Sequence, residues 1–131
     1  MRVLVTGGAG FIGAHLVERL LELGHDVISV DNFLLGKKEN VDKFKDNSNY
    51  KFVELDVSDT DQFCKILSGE KIDIIYHLAA NSDIRKSGIV PKIDYDNTFK
   101  TTFSVLELMR INNIKNMFFA STSAVYGDKK K

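Results

Sequence analysis

Thr6-Gly7-Gly8-Ala9-Gly10-Phe11-Ile12-Gly13 follows the apolar run Val3-Leu4-Val5 and opens a helical pattern. A strand, a glycine-rich turn and a helix in that order form a cradle for a nucleotide phosphate. The glycines at a spacing of three have separate tasks. Gly7 lets the chain turn sharply out of the strand, Gly10 removes a Cβ where backbone must approach a pyrophosphate, and Gly13 lets the helix pack closely. The helix start then presents unpaired N–H groups and a partial positive charge to the anion.

The remainder of the chain repeats this alternation. Arg2–Val5 reads as a strand buried on both faces. Ile12, Leu16, Leu20 and Leu23 mark the expected inner stripe of the first helix, and Gly24 its C-cap. Asp26–Val30 is a second strand, and 37–45 reads as a short surface helix. Tyr50–Leu55 is a third strand. Ser58-Asp59 starts a helix over Thr60–Leu67, with Phe63, Ile66 and Leu67 inward. Ile72–His77 is a fourth strand, and Asp83–Pro91 reads as a polar loop. Lys92–Asn112 reads as one long helix with Phe99, Phe103, Leu106 and Met109 on its inner stripe, and Asn116–Ala120 as a fifth strand. Right-handed crossovers then give an α/β fold with a doubly wound parallel sheet in the order 3-2-1-4-5, with a cofactor lying across the carboxyl ends of strands one and four.

Individual residues refine the site. Asp31 stands 18 residues after Gly13, close to the offset at which an acid accepts hydrogen bonds from the adenosine ribose. A carboxylate there repels a 2′-phosphate, so the cofactor expected is NAD rather than NADP. The same residue also suits an Asx-turn at a strand end. Asp56 suits either an adenine contact or helix capping. The stretch Leu78-Ala79-Ala80-Asn81-Ser82 after the fourth strand has small residues that leave a path for a cofactor, and they equally suit close helix packing. Asn97 is a poor helix former in mid-helix, which suggests a specific hydrogen bond to loop or cofactor. His77 reads as a packing residue at a strand end. Cys64, the single cysteine, reads as a packed core thiol.

Composition bounds the function. The 131 residues have a formal net charge of zero, which gives no electrostatic case for nucleic acid or an anionic membrane. No apolar run nears the ~20 residues that span a bilayer, and no Cys/His cluster has metal-ligand spacing. A lone cysteine and an N-terminus that enters a strand at once fit a reducing cytoplasm.

Four motifs, Thr6–Gly13, Asp31-Asn32, His77-Leu78-Ala79-Ala80 and Ser121–Gly127, together resemble the extended short-chain dehydrogenase/reductases of the nucleotide-sugar epimerase/dehydratase branch. The resemblance covers nearly the whole chain. It implies a Rossmann-type domain over residues 1–131, with the last strands and a C-terminal substrate domain lying outside it, and a homodimeric parent. It implies that Phe11 and Ile12 present N–H groups to the pyrophosphate and that Asp31 and Asn32 hold the ribose. Asp56 and Val57 would edge the adenine, and Leu78–Asn81 and Asn97 would line the cofactor. Thr122, four residues before Tyr126, would be the hydroxyl that bonds the sugar's reacting oxygen, with Ser123 as runner-up. The implied chemistry is transient oxidation of a nucleotide-sugar to a keto-sugar with NAD as hydride acceptor.

The chain departs from that family in one respect. The base of these enzymes is the tyrosine of a Tyr-x-x-x-Lys pair. The sole such spacing here, Tyr126 to Lys130, belongs to the preceding serine-rich motif and is rejected as that pair. The expectation is therefore an inactive cofactor-binding portion of a 4-epimerase, with the apolar fifth strand left at a sheet edge and a tendency to oligomerise. Ser123 and Ala124 stand where 4,6-dehydratases commonly carry Asp-Glu, and Ala124 replaces a glutamate usual in UDP-glucuronate decarboxylases. Those rivals are thus less well matched. A non-catalytic NAD-binding module and a scaffold that has lost its cofactor are the alternatives outside that class.

Overall fold

The structure is a computed structural model that describes residues 1–127, with the side chains of Ile84, Ser123 and Ala124 outside the description. Strand β1 (Arg2–Thr6), helix α1 (Phe11–Glu22), strand β2 (Asp26–Asp31), helix α2 (Glu39–Asp42), strand β3 (Tyr50–Glu54), helix α3 (Thr60–Leu67) and strand β4 (Ile74–His77) follow one another. They are succeeded by helices α4 (Ile84–Ile89) and α5 (Lys92–Asp94), a π-helical turn (Tyr95–Phe99), helix α6 (Lys100–Asn112), strand β5 (Met117–Phe119) and a 3-10 turn (Ser123–Tyr126). All strand pairs are parallel, in the order β3-β2-β1-β4-β5, as the sequence predicts.

Residue alternation divides the core between the two sheet faces. Val3, Val5 and Val27 meet Val17 and Leu20 of α1 and Phe44 beyond α2. Leu4, Ile28, Val30 and Ile75 meet Phe63, Cys64 and Leu67 of α3 and Val105 and Leu108 of α6. Strands covered on both faces carry these near-continuous apolar runs. Cys64 is one of the buried core residues, as expected.

The helix faces depart from the expected stripes. On α1 the buried residues are Gly13, Ala14, Val17 and Leu20, while Ile12 and Leu23 are exposed. On α3 Ile66 is exposed and Cys64 takes its inward place. On α6 the buried residues are Thr101, Ser104, Val105 and Leu108, and Phe99, Phe103 and Leu106 are exposed. Close packing explains all three. Small side chains let a helix axis approach its neighbour, and a hydroxyl can be buried when it bonds back to its own helix. Ser104 Oγ lies 3.0 Å from Lys100 O and 2.7 Å from Thr60 Oγ1 of α3.

The long helix is also not continuous. The wide turn at Tyr95–Phe99 inserts residues between α5 and α6 and so shifts the register of the apolar stripe. The expected polar loop contains α4, whose N-cap Asp83 accepts from Lys86 N at 3.1 Å. At the far side of the sheet, β5 pairs among the described residues with β4 alone, and Phe118 and Phe119 are exposed.

The observed inner face of α6 is tested by a pair of substitutions. Leu108→Ala removes a fully buried side chain and should cost about 2–5 kcal/mol in urea unfolding. Leu106→Ala, on the exposed face, should cost well under ~1 kcal/mol. Equal costs would restore the stripe expected from sequence.

Candidate functional site

At the carboxyl ends of β1, β2 and β4 the chain leaves a cleft of about 320 Å³. Its floor is the glycine turn. Gly7 has φ +75°, and its N–H donates to Val30 O at 2.8 Å, tying the end of β1 to β2. A Cβ on Gly7 would stand 2.9 Å from Ala79 N, inside the β4 loop. A Cβ on Gly13 would stand 2.2 Å from Gly7 O, so Gly13 brings the helix onto the turn itself. Gly10 caps α1 without a side-chain bond, and no acidic residue stands in the first turn. The first N–H groups of α1, those of Phe11 and Ile12 among them, thus open on the cleft with partial positive charge.

One wall comes from the end of β2. Asp31 is 8% exposed. Its Oδ2 accepts from Ala9 N at 3.0 Å and its Oδ1 from Phe33 N at 2.8 Å. The Asx-turn is therefore present, and the same carboxylate also clamps the glycine turn. A carboxylate has about four lone-pair sites, so two backbone donors leave capacity for ligand hydroxyls. Asn32 Oδ1 accepts from Leu34 N at 3.0 Å, which curls Leu34, Leu35 and Gly36 over the cleft. Gly36 is sterically required, since a Cβ there would stand 2.7 Å from Ala9 Cβ and 2.9 Å from Asp31 Oδ1. Ala9 O accepts from Lys37 N at 3.0 Å and Asn40 Nδ2 at 2.8 Å, completing the clamp.

The end of β3 adds Leu55, Asp56 and Val57. Asp56 Oδ1 accepts from Ser58 N at 2.8 Å, whereas the cap of α3 is Asp59, which accepts from Gln62 N at 3.1 Å. Leu78, Ala79, Ala80 and Ser82 form the opposite wall, with Asn97 and Thr101 behind them and Ala120 at the end of β5. Asn97 lies in the π-helical turn, and its side-chain amide has no protein partner among the described residues. Asn81 does not line the cleft. Its amide donates to Asp83 O and Asp94 Oδ1 at 3.2 and 2.9 Å, tying the β4 loop to α5.

Thr122 is exposed, two residues beyond Ala120, and is not a lining residue of the cleft. Ser123 opens the 3-10 turn, and its side chain lies outside the described residues, as does Lys130. Thirteen of the fourteen residues expected around a cofactor thus line one cleft. The sequence reading missed Leu34, Leu35, Gly36, Leu55, Thr101 and Ala120, and it counted Ser82 among the small residues that leave a cofactor path. Only Gly36 carried a signal, as a glycine shortly after an acid at a strand end. Among the described residues no three His, Cys, Asp or Glu gather as a metal site, and no helix is long and apolar enough to cross a membrane.

His77 is 2% exposed, and burial pushes its imidazole down to about pKa 4. Among the described residues the groups bonded to its ring are hydroxyls, Thr6 Oγ1 at Nδ1 and Thr102 Oγ1 at Nε2. It is the packing residue that the sequence suggests.

Comparison with known proteins gives a consistent picture. Residues 4–131 match the family model described as GDP-mannose 4,6 dehydratase. The chain is 40% identical over its whole length to a UDP-glucose 4-epimerase of Lactobacillus helveticus, of which it spans 38%. It is 33% identical to a UDP-glucose 4-epimerase of Klebsiella pneumoniae, of which it covers 96%. The crystal structure of UDP-glucose 4-epimerase from Bifidobacterium longum, in complex with NAD+ and UDP, is 34% identical with a TM-score of 0.88 over 97% of this chain and 38% of that one. The chain thus spans about two fifths of the length of most of these relatives.

Linkage gives a test of the buried imidazole. Its folded pKa lies below the unfolded value of 6.5, so between pH 6.5 and about 4 the unfolded chain binds a proton that the folded chain does not. Stability is fully present above pH 6.5 and falls by ~3 kcal/mol on acidification to pH 4. Urea unfolding at pH 7, 5 and 4 should show this loss in the parent and a correspondingly flatter profile in His77→Phe.

Proposed function

The chain belongs to the GDP-mannose 4,6 dehydratase family, and on that premise we propose that it is the NAD-binding portion, residues 1–131, of a nucleotide-sugar 4-epimerase. The observation that carries the reading is the meeting of an uncapped helix start, a glycine turn without Cβ atoms and the Asp31 carboxylate in one cleft. The fit to NAD is good. A Cβ on Gly10 would meet only Gly7 O, at 3.2 Å, so backbone and cleft are free to take a pyrophosphate at that point.

In this reading Gly7, Gly10 and Gly13 shape the cradle, and the N–H groups of Phe11 and Ile12 donate to the pyrophosphate. Asp31 accepts from the ribose hydroxyls with its remaining lone pairs and disfavours a 2′-phosphate, with Asn32 beside it. Asp56 and Val57 edge the adenine. Leu78, Ala79 and Ala80 line the path toward the nicotinamide, where the unpartnered amide of Asn97 stands ready to donate or accept. Asn81 acts one step away by holding that loop. Thr122, or failing it Ser123, bonds the reacting sugar oxygen. Bound NAD supplies reversible hydride acceptance from the sugar carbon.

Epimerase is favoured over 4,6-dehydratase because Ser123 and Ala124 cannot do the acid–base work of an Asp-Glu pair. The absence of an accepted Tyr-x-x-x-Lys pair from these residues favours binding without turnover by this stretch alone. It also keeps a non-catalytic NAD-binding module as the second reading. The exposed stripe of Tyr95, Phe99, Phe103 and Leu106 supports a homodimeric parent. Its setting would be a reducing cytoplasm, on the single buried thiol of Cys64.

Calorimetric titration of this chain tests the proposal. NAD should bind at one site, NADP more weakly, and Asp31→Ala should weaken NAD at least about tenfold, the loss of one to two charge-assisted hydrogen bonds. No heat with NAD, or NADP tighter than NAD, would refute it. Sugar-nucleotide turnover should be undetectable with this chain.

A further inference from the structure

We propose that His77, fixed as its neutral Nε2–H tautomer between Thr6 and Thr102, is the positioning residue that ties the cleft-lining β4 loop to the π-helical turn behind it. The assignment follows from counting hydrogens. Thr102 Oγ1 lies 2.7 Å from Thr98 O, a carbonyl that can only accept, so the Thr102 hydroxyl donates there. Its lone pair then faces His77 Nε2 at 3.1 Å, and Nε2 must carry the hydrogen. A neutral ring leaves Nδ1 as an acceptor. The Thr6 hydroxyl donates to it at 2.7 Å and accepts in turn from Ala79 N at 3.3 Å.

The result is a single line of donation, from Ala79 N–H through Thr6 and His77 to Thr102 and Thr98 O. Its two ends are the β4 loop and the π-helical turn behind it. Ala79 lines the cleft on the β4 side, and Thr98 adjoins Asn97, which lines it from the π-helical turn. The same turn grips the loop once more, since Thr98 Oγ1 accepts from Asn81 N at 3.1 Å, and Thr101 Oγ1 of α6 lies between them, 2.9 Å from Thr98 O and 3.2 Å from Ala79 O. A polar line of this kind in a buried place is rigid when every member is satisfied.

Among the described residues no charged group joins it. The ring faces Thr6 from β1, Thr102 from α6 and the Phe119 ring from β5, whose centroid is 5.8 Å away. Burial accordingly keeps the ring neutral. A hydrogen added at Nδ1 would oppose the Thr6 hydroxyl, whose other neighbour, Ala79 N–H, is also a donor. The line would then break at Thr6. The effect on cofactor rests on the NAD reading above, and the tautomer does not.

The experiment is imidazole 15N NMR on the whole chain, with amide exchange at Ala79 and NAD titration, for the parent, Thr102→Val and Thr102→Ser. The parent should show one Nε2–H tautomer at pH 7 before NAD is added. Thr102→Val, which leaves Nε2–H without its acceptor, should exchange Ala79 about tenfold faster, bind NAD about tenfold more weakly and lower the urea midpoint, each on the scale of one hydrogen bond. Thr102→Ser should restore all three. An Nδ1–H or averaging ring in the parent, or unchanged Ala79 exchange in Thr102→Val, overturns the assignment. If the parent binds no NAD, the cofactor reading fails, while tautomer and Ala79 exchange still decide the positioning role.

Discussion

The structure depends on main-chain contact at the glycine turn. Gly7 meets the backbone of Leu78 and Ala79, Gly8 meets Ser29, and Gly13 meets Gly7 O, in each case closer than a Cβ would permit. Those contacts bring the ends of β1, β2 and β4 and the start of α1 to one point. Side chains larger than hydrogen would push α1 away from the turn and the β4 loop away from β1, and the cleft between them would lose its floor. The parallel sheet with its strand order places the crevice, and the absence of side chains makes it narrow.

Around that point the polar groups have double duties. Asp31 seals the Asx-turn at the end of β2 and grips Ala9 N, so the acid assigned to the ribose also shapes the turn beneath the phosphates. The sequence posed these as competing readings. In the fold they are one arrangement, because a carboxylate at a parallel-strand end has lone pairs enough for backbone on one side and ligand on the other. The same economy holds for Thr6, which ends β1 and belongs to the buried line through His77.

Strand order and nearly all of the cleft were legible because they rest on local chemistry: apolar runs, glycine spacing, acids at strand ends. The faces of α1, α3 and α6 were not. A hydrophobic stripe assumes that the largest apolar residues face inward, whereas here Gly13, Ala14, Thr101 and Ser104 do so and let the helices come close. Nothing local announces that choice, since it depends on the neighbour's shape. The π-helical turn at Tyr95–Phe99 was hidden for a related reason. Its value lies in a tertiary bond, in which Thr98 Oγ1 accepts from Asn81 N of the β4 loop. Leu34 and Leu35 were missed because loop position over a cleft follows from Asn32 and Gly36 acting together, not from any one residue.

The two ends of the site differ in how they are made. The end assigned to the nucleotide is mostly backbone and short clamped loops: the glycine turn, the Asp31 turn, the Asp56 turn. Such a surface is set once the sheet forms and requires no rearrangement to receive an anion. The end assigned to the reacting sugar carries Thr122 on an exposed segment past β5, outside the cleft, with no accepted tyrosine–lysine pair in the chain. Affinity can therefore reside in preformed backbone while the chemistry awaits a proton-transfer partner. The chain spans about two fifths of the length of most of its curated relatives. In the proposed reading, the preformed backbone accounts for cofactor binding, and the proton-transfer step belongs to groups outside the cleft.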